Sequence, residues 1–373
     1  MVFLAAVVVM LPIAFFGIPN GHDLPQHFQF ANAYYDSLTT GNGFPSWSAR
    51  ENNGYGSIGI RFYPPLAYYV LALFRIVSGN WFDAAWLTFT FWMILGCAGV
   101  YYWSRWWLSP KFSAIAAVFY AFVPYHLNQI YISFIYADFA GAAILPFCFV
   151  FQTRIFRRGE NTDVLGLTFF YALLILTHLP SAIIGSVCLA VYGLILLRKK
   201  RAVQQIVKSS IAALLGLAAS SYYWLAMVSE MDWLNHATEK YQSGHYYFGN
   251  GFFPSFFHRS AEDAVNNPLL ADAINSFCIL SLATAVVYLL YHRTKDVEKS
   301  SVSQICRTVL PLGLFSVFMI TALSYPVWKI ITPLQKIQFP MRFMSVIVMC
   351  GAMVTAAAVH FMIEGDFSTS FVR

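Results

Sequence analysis

The chain has little charge: only 11% of its 373 residues are Asp, Glu, Lys or Arg, against roughly 25% in soluble domains. A water-facing surface of ordinary size cannot be built from that supply. Paired cysteine is also lacking. Cys97, Cys148, Cys188, Cys278, Cys306 and Cys350 all fall within or at the ends of apolar segments, without a CxxC pair or a short spacing to histidine. Neither a disulfide framework nor a zinc site is signalled. The segment 2–18 has no basic residues before it and no Ala-x-Ala site after it, so it reads as a retained first helix rather than a signal peptide.

What is present is apolar: 58% hydrophobic and 18% aromatic residues. Segments long enough to cross a bilayer recur along the whole length. The pattern predicts an all-α polytopic membrane protein forming a single integral domain over 1–373. About ten transmembrane helices are expected, over 2–18, 83–103, 112–131, 137–153, 163–178, 181–197, 208–228, 275–292, 308–325 and 342–362.

Basic residues gather in short stretches: Arg105 with Lys111; Arg154, Arg157 and Arg158; Arg198 to Arg201 with Lys208; and Arg293 to Arg307. On the ten-span arrangement these fall on one side, which the bias of membrane insertion makes cytoplasmic, with both termini inside. The net charge of +6 is then a property of those turns and requires no nucleic-acid partner.

The loop 19–82 is too long for a simple connection and reads as a structured extracytoplasmic platform. Leu24 to Leu38 is expected to be an amphipathic interfacial helix with Phe28, Ala31, Tyr34, Tyr35 and Leu38 on its apolar side. Leu66 to Ile76, entered through Pro64 and Pro65, is too short for a span and is expected to be a second interfacial helix. A second large outer loop, 229–274, is rich in aromatics and contains His236, His245, His258 and Arg259. Aromatics there suit a membrane belt, stacking against sugar rings, or a cover over a lipid groove.

Candidate chemistry collects on the outer side. Asp23 lies in Gly21-His22-Asp23-Leu24-Pro25-Gln26-His27 just past the first helix, where an ionisable group is either functional or a helix cap. Asp138 opens the fourth span after a polar approach through Tyr125, His126, Asn128 and Gln129, where the helix dipole alone would also favour an acid. His178 sits in an outer hairpin, and Glu230 follows the seventh span. Lys336 and Arg342 place cations on the outer face, against the bias that sets topology, and so call for a carboxylate or a phosphate.

The His-Asp motif, Asn52-Asn53-Gly54-Tyr55-Gly56, Phe62-Tyr63-Pro64-Pro65-Leu66, a second acid heading a later span, and Gln338-Phe339-Pro340-Met341-Arg342-Phe343 occur in this order. Together they resemble the GT-C superfamily of membrane glycosyltransferases. The likeness is greatest to the bacterial group called 6-pyruvoyl-tetrahydropterin synthase-related membrane proteins, over about 18–345.

The resemblance implies an inverting transferase in a bacterial inner membrane. It would move a sugar from a polyprenyl-phosphate donor to a glycan, lipid or protein acceptor at the extracytoplasmic face. Asp23 maps onto the catalytic base and Asp138 onto the second acid. His22, His27, Arg61, Tyr63, His178, Glu230, Lys336 and Arg342 fall at substrate-binding positions, with Arg342, Lys336 and Arg61 set against the leaving phosphate. Relatives commonly carry an Arg where this chain reads Tyr131-Ile132-Ser133-Phe134.

No cofactor is required. Some GT-C relatives use a divalent metal, Mg or Mn, which Asp23 and Asp138 would hold through oxygen ligands. Relatives often continue further, so the chain reads as a compact member, a fragment or one component of a complex. A transporter or flippase for a lipid-linked glycan, and a non-catalytic scaffold for envelope assembly, are the competing readings.

Overall fold

A computed structural model describes residues 1–234, 247–253 and 301–365, together with 276, 278, 279, 282, 283 and 286. The regular structure among the described residues is helical, with two isolated β-bridges, Ser48 to Ser57 and Phe253 to Thr321. Within them, helices α1 (Val2–Phe16), α2 (Leu24–Thr39), α3 (Leu66–Ser78), α4 (Trp81–Ser104), α5 (Pro110–Phe122) and α6 (Pro124–Leu127) precede the central α7 (Tyr136–Arg157). After it come α8 (Asn161–Thr177), α9 (Leu179–Leu196), α10 (Ala202–Ala219), α11 (Ser221–Ser229), α12 (Ser301–Ile320), α13 (Tyr325–Ile330), α14 (Thr332–Gln335) and α15 (Met344–His360).

Among the described residues, six helical stretches are long and apolar enough to cross a membrane: Trp81–Ser104, Tyr136–Arg157, Leu179–Leu196, Lys199–Ala219, Ser303–Ile320 and Pro340–Ile363. The ten-span expectation is therefore not met among the described residues. Three apolar helices, Val2–Phe16, Leu66–Ser78 and Asn161–Thr177, are shorter.

The breaks have local causes. Val123 turns extended at ψ 134° ahead of Pro124, which ends α5 at Phe122 inside the expected span 112–131. Gly17, at φ 88°, ends α1. The span expected at 208–228 is shifted towards the basic residues Lys199 to Arg201 and stops at Ser220, whose hydroxyl bonds back to the Gly216 carbonyl at 2.9 Å. The span expected at 275–292 lies largely outside the described residues.

Helix α7 is the axis of the molecule. It packs along α4, α8 and α9, and even its polar residues Asp138, Gln152 and Thr153 are buried. Helix α10 is peripheral, covering α8 and leaving Leu214, Ile206 and Val207 exposed. Helix α15 lies on α5 and α12 and brings the turn Pro340–Phe343 against α9.

Helices occupy both segments of 19–82 where they are expected, but the buried face of α2 is rotated by about one residue. His27, Phe30, Ala31, Ala33 and Tyr34 are buried, while Phe28, Tyr35 and Leu38 are only partly covered. A run of aromatics on both sides hides the face from a pattern reading; contact with α3 selects it. In the segment expected as the second outer loop, Phe248 stacks on Trp328 with centroids 5.9 Å apart, and Tyr247 shares a 3.0 Å hydroxyl bond with Tyr325. These aromatics join the core. His236, His245, His258 and Arg259 lie outside the described residues.

Candidate active site

The site is assembled where the start of α2 meets the turn before α7. The backbone N–H of Asp23 donates to the Ser133 carbonyl at 3.2 Å. Gly21 lies directly on this turn: a β-carbon there would stand 2.8 Å from the Phe134 nitrogen and would also strike the Phe134 Cβ. Phe134 itself turns through φ 54°, a left-handed conformation that a bulky residue adopts only when its surroundings impose it. The Gly-His-Asp motif is thus docked onto the segment that feeds Asp138.

Asp23 occupies the N-cap position of α2, yet its side chain makes no capping hydrogen bond. Its Oδ1 instead faces His22 Nδ1 at 2.9 Å, with the two side chains 45% and 69% exposed. A simple capping role would have turned the carboxylate onto the helix. This acid is held open to the outside.

Asp138 is the opposite case, at 1% exposure in the first turn of α7. Its Oδ2 accepts from Gln129 Nε2 at 2.9 Å and from the Tyr125 hydroxyl at 3.3 Å. Its Oδ1 accepts from Ser181 Oγ at 3.2 Å and lies 3.3 Å from His178 Nδ1. Because Ser181 donates to the carboxylate, its oxygen accepts from His178 Nδ1 at 2.8 Å. Likewise Gln129, donating through Nε2, accepts through Oε1 from His126 Nδ1 at 2.8 Å. Two histidine relays converge on one carboxylate, satisfying a charge that would otherwise be costly to bury.

Close helix packing makes the second relay reachable. A β-carbon on Gly141 would stand 2.9 Å from Ser181 Oγ and 3.2 Å from His178 Cβ, so its absence lets α9 approach α7.

His27 is buried under Tyr63, Tyr68 and Tyr136, and shares a 2.7 Å hydrogen bond with the Tyr68 hydroxyl. Burial pushes its imidazole down to about 4, while the Asp23 charge pulls it up and His178 presses it down. Tyr63 is pushed up to about 12, first by burial; Arg342 acts against that shift, and Asp138 and Asp23 act with it. One phenol therefore feels the cation and both acids of the candidate set.

Arg342 comes from the 3₁₀ turn Pro340–Phe343 at the head of α15. Its Nη1 donates to the Ile337 carbonyl at 2.7 Å and its guanidinium lies 5.2 Å from the Phe339 ring centroid. No ion pair to Arg342 occurs among the described residues. Its charge nevertheless reaches Asp138, His178 and Tyr125.

The remaining candidates stand apart. Arg61 makes a two-pronged ion pair with Glu230 and lies 5.9 Å from the Trp233 ring, so each satisfies the other. Lys336 is exposed. Sequence reasoning placed Gln129 and Tyr125 on the approach to Asp138 but missed their bonds to it, and missed Ser181 and Tyr68 altogether. The signal for Ser181 was its i+3 spacing from His178 across a helix start.

An ion shared by Asp23 and Asp138 does not fit these residues. Both Asp138 oxygens are occupied, and among the described residues no group of three His, Cys, Asp or Glu side chains is arranged to hold a metal.

The fold and its apolar helices define a helical membrane protein. The sequence profile of the 6-pyruvoyl-tetrahydropterin synthase related domain, described as a membrane protein, matches residues 60–364, and the chain belongs to that family. No curated protein matches it.

Solved structures with a similar fold include ArnT from Cupriavidus metallidurans bound to undecaprenyl phosphate, at 12% identity and a TM-score of 0.44, with 95% of this chain and 77% of that one covered. Another is the Archaeoglobus fulgidus oligosaccharyltransferase in complex with zinc and sulfate, at 15% identity and a TM-score of 0.49, with 98% of this chain covered. The chain spans 49% of that protein.

Proposed function

We propose that the chain is a membrane glycosyltransferase of the GT-C type, moving a sugar from a polyprenyl-phosphate donor to an acceptor hydroxyl at the extracytoplasmic face. The observation that carries this reading is the docking of the Asp23 loop on the segment that leads into Asp138, through the Asp23 N–H to Ser133 bond and the Gly21–Phe134 contact, with Asp23 open to solvent and Asp138 enclosed.

In the proposed reaction Asp23 takes the proton of the acceptor hydroxyl as its oxygen bonds to the anomeric carbon from the face opposite the phosphate. The bond from that carbon to the phosphate oxygen breaks, and the phosphate leaves with the electron pair. Arg342 stabilises the charge developing there, where a fixed cation in a poorly hydrated site is worth most. Asp138 holds His178 and the charge balance around Arg342; His27 and Tyr63 shape the acceptor side. Arg61 and Glu230 brace the platform against α11. Mg and Mn have no step in this scheme.

The test is mass spectrometry of envelope glycolipids in cells with and without the gene, complemented by wild type or Asp23→Asn. A polyprenyl-phosphate sugar should accumulate without the gene, and the variant should fail to clear it while expressing normally. An unchanged lipid-linked pool refutes the transferase. Clearance by the variant refutes Asp23 as its base.

A further inference from the structure

Towards the opposite end of α7, about 14 to 30 Å from Asp138 by helix rise, lies a cavity of about 560 Å³ between α4, α7 and α8. Its floor is aromatic. Phe170 of α8 stacks on Phe147 and on Phe151 of α7, with centroids 4.5 and 5.5 Å apart. Its rim is cationic, formed by Arg105, Arg154 and Arg158 with Trp106.

The three cations are not equivalent. Arg154 is matched by Asp163, whose Oδ1 lies 2.5 Å from its Nε. Arg158 is exposed, with its guanidinium carbon over Trp106 at 5.2 Å from the ring centroid. Arg105 is exposed and donates through Nη1 to the Leu108 carbonyl at 2.5 Å. Neither has an acidic partner among the described residues. The site thus carries two uncompensated positive charges, each fixed by a neighbour, above an apolar floor.

Positive charge at this end is what membrane topology asks of any such protein. A cavity under it, with stacked rings aligned along the membrane-crossing direction of α7, is not required by topology. Tyr102 on the α4 side is 57% exposed, and Leu165 and Phe169 of α8 are exposed beside the floor, so the cavity borders the surface that hydrocarbon would cover. An occupant must be anionic at the arginine end and apolar below.

We propose that this cavity binds an anionic phospholipid. Its phosphate sits between the Arg105 and Arg158 guanidiniums, and its first chain segments lie on Phe147, Phe151 and Phe170. Arg158, held over Trp106, offers guanidinium N–H donors that pair with two phosphate oxygens at once.

The test is native mass spectrometry of the detergent-purified full chain, equilibrated with equal amounts of phosphatidylglycerol and phosphatidylcholine. Wild type should retain phosphatidylglycerol preferentially. Arg105→Gln and Arg158→Gln should each weaken retention about fivefold, the ratio that ~1 kcal/mol per basic residue gives. Arg105→Lys with Arg158→Lys should keep most of the preference, which separates lost charge from lost folding. Equal retention of both lipids by wild type, or full preference in the double Gln variant, overturns the proposal. So does displacement of the lipid by inorganic phosphate at millimolar concentration, which would make the cavity a site for a soluble anion.

Discussion

Gly21 and Phe134 are packed so closely that no side chain fits between them, and this contact fastens the first-loop acid to the segment preceding Asp138. Gly21→Ala must push the two segments apart. We expect a loss of about 1–3 kcal/mol in stability, the usual range for overpacking, and a larger loss of activity because Asp23 moves with Gly21. Thermal unfolding in detergent and lipid-sugar turnover together read both. An alanine variant that keeps full turnover would show that this contact does not set the geometry of the site.

The two acids should respond oppositely to neutralisation. Asp138→Ala leaves Gln129, Tyr125 and Ser181 without their buried acceptor, at a cost of about 3 kcal/mol. Asp23→Asn, an isosteric change at an exposed group, should change stability by no more than about 0.5 kcal/mol while abolishing turnover. Melting temperatures of the two variants side by side decide the matter; equal destabilisation would contradict the division of roles.

His27 gives the fold an acid sensitivity of definite sign. Its imidazole is held down at about 4 by burial, below the 6.5 of the unfolded chain, so the unfolded state binds a proton that the fold excludes. Stability is complete above about pH 6.5 and falls as the pH drops towards 4, by about 3 kcal/mol in all. Unfolding scans across that window should show a shallower decline for His27→Gln than for wild type. Parallel curves would place the sensitivity elsewhere.

The Arg61–Glu230 pair joins the platform to the end of α11. A double-mutant cycle with Arg61→Gln and Glu230→Gln should give a coupling of about 1–2 kcal/mol, above that of an exposed pair because Glu230 is only 13% exposed. Zero coupling, with activity lost only in the Arg61 variant, would return Arg61 to the donor phosphate.

Arg342 and Lys336, six residues apart, separate by environment: Arg342 is half-buried and bonded to the Ile337 carbonyl, whereas Lys336 is exposed. Arg342→Gln should lower kcat by about 10²–10³, the scale of removing one donor to a developing anion, whereas Lys336→Gln should change it little. Steady-state kinetics on the identified donor measure both; equal effects would remove the distinction.

The sequence by itself determined that the chain is helical and apolar, where the two helices of the first loop lie, and which acids and cations deserve scrutiny. These follow from composition, hydrophobic run length and the placement of charge, all of which act locally. It did not determine the number of long helices, because Val123 and Ser220 end apolar runs that hydropathy alone would continue. Nor did it reveal that Asp23 stays open while Asp138 is enclosed, or that Glu230 occupies Arg61. Those depend on which faces of α2, α7 and α9 meet, on Gly21 and Gly141 permitting close approach, and on partners distant in sequence, so only the packed tertiary structure decided them.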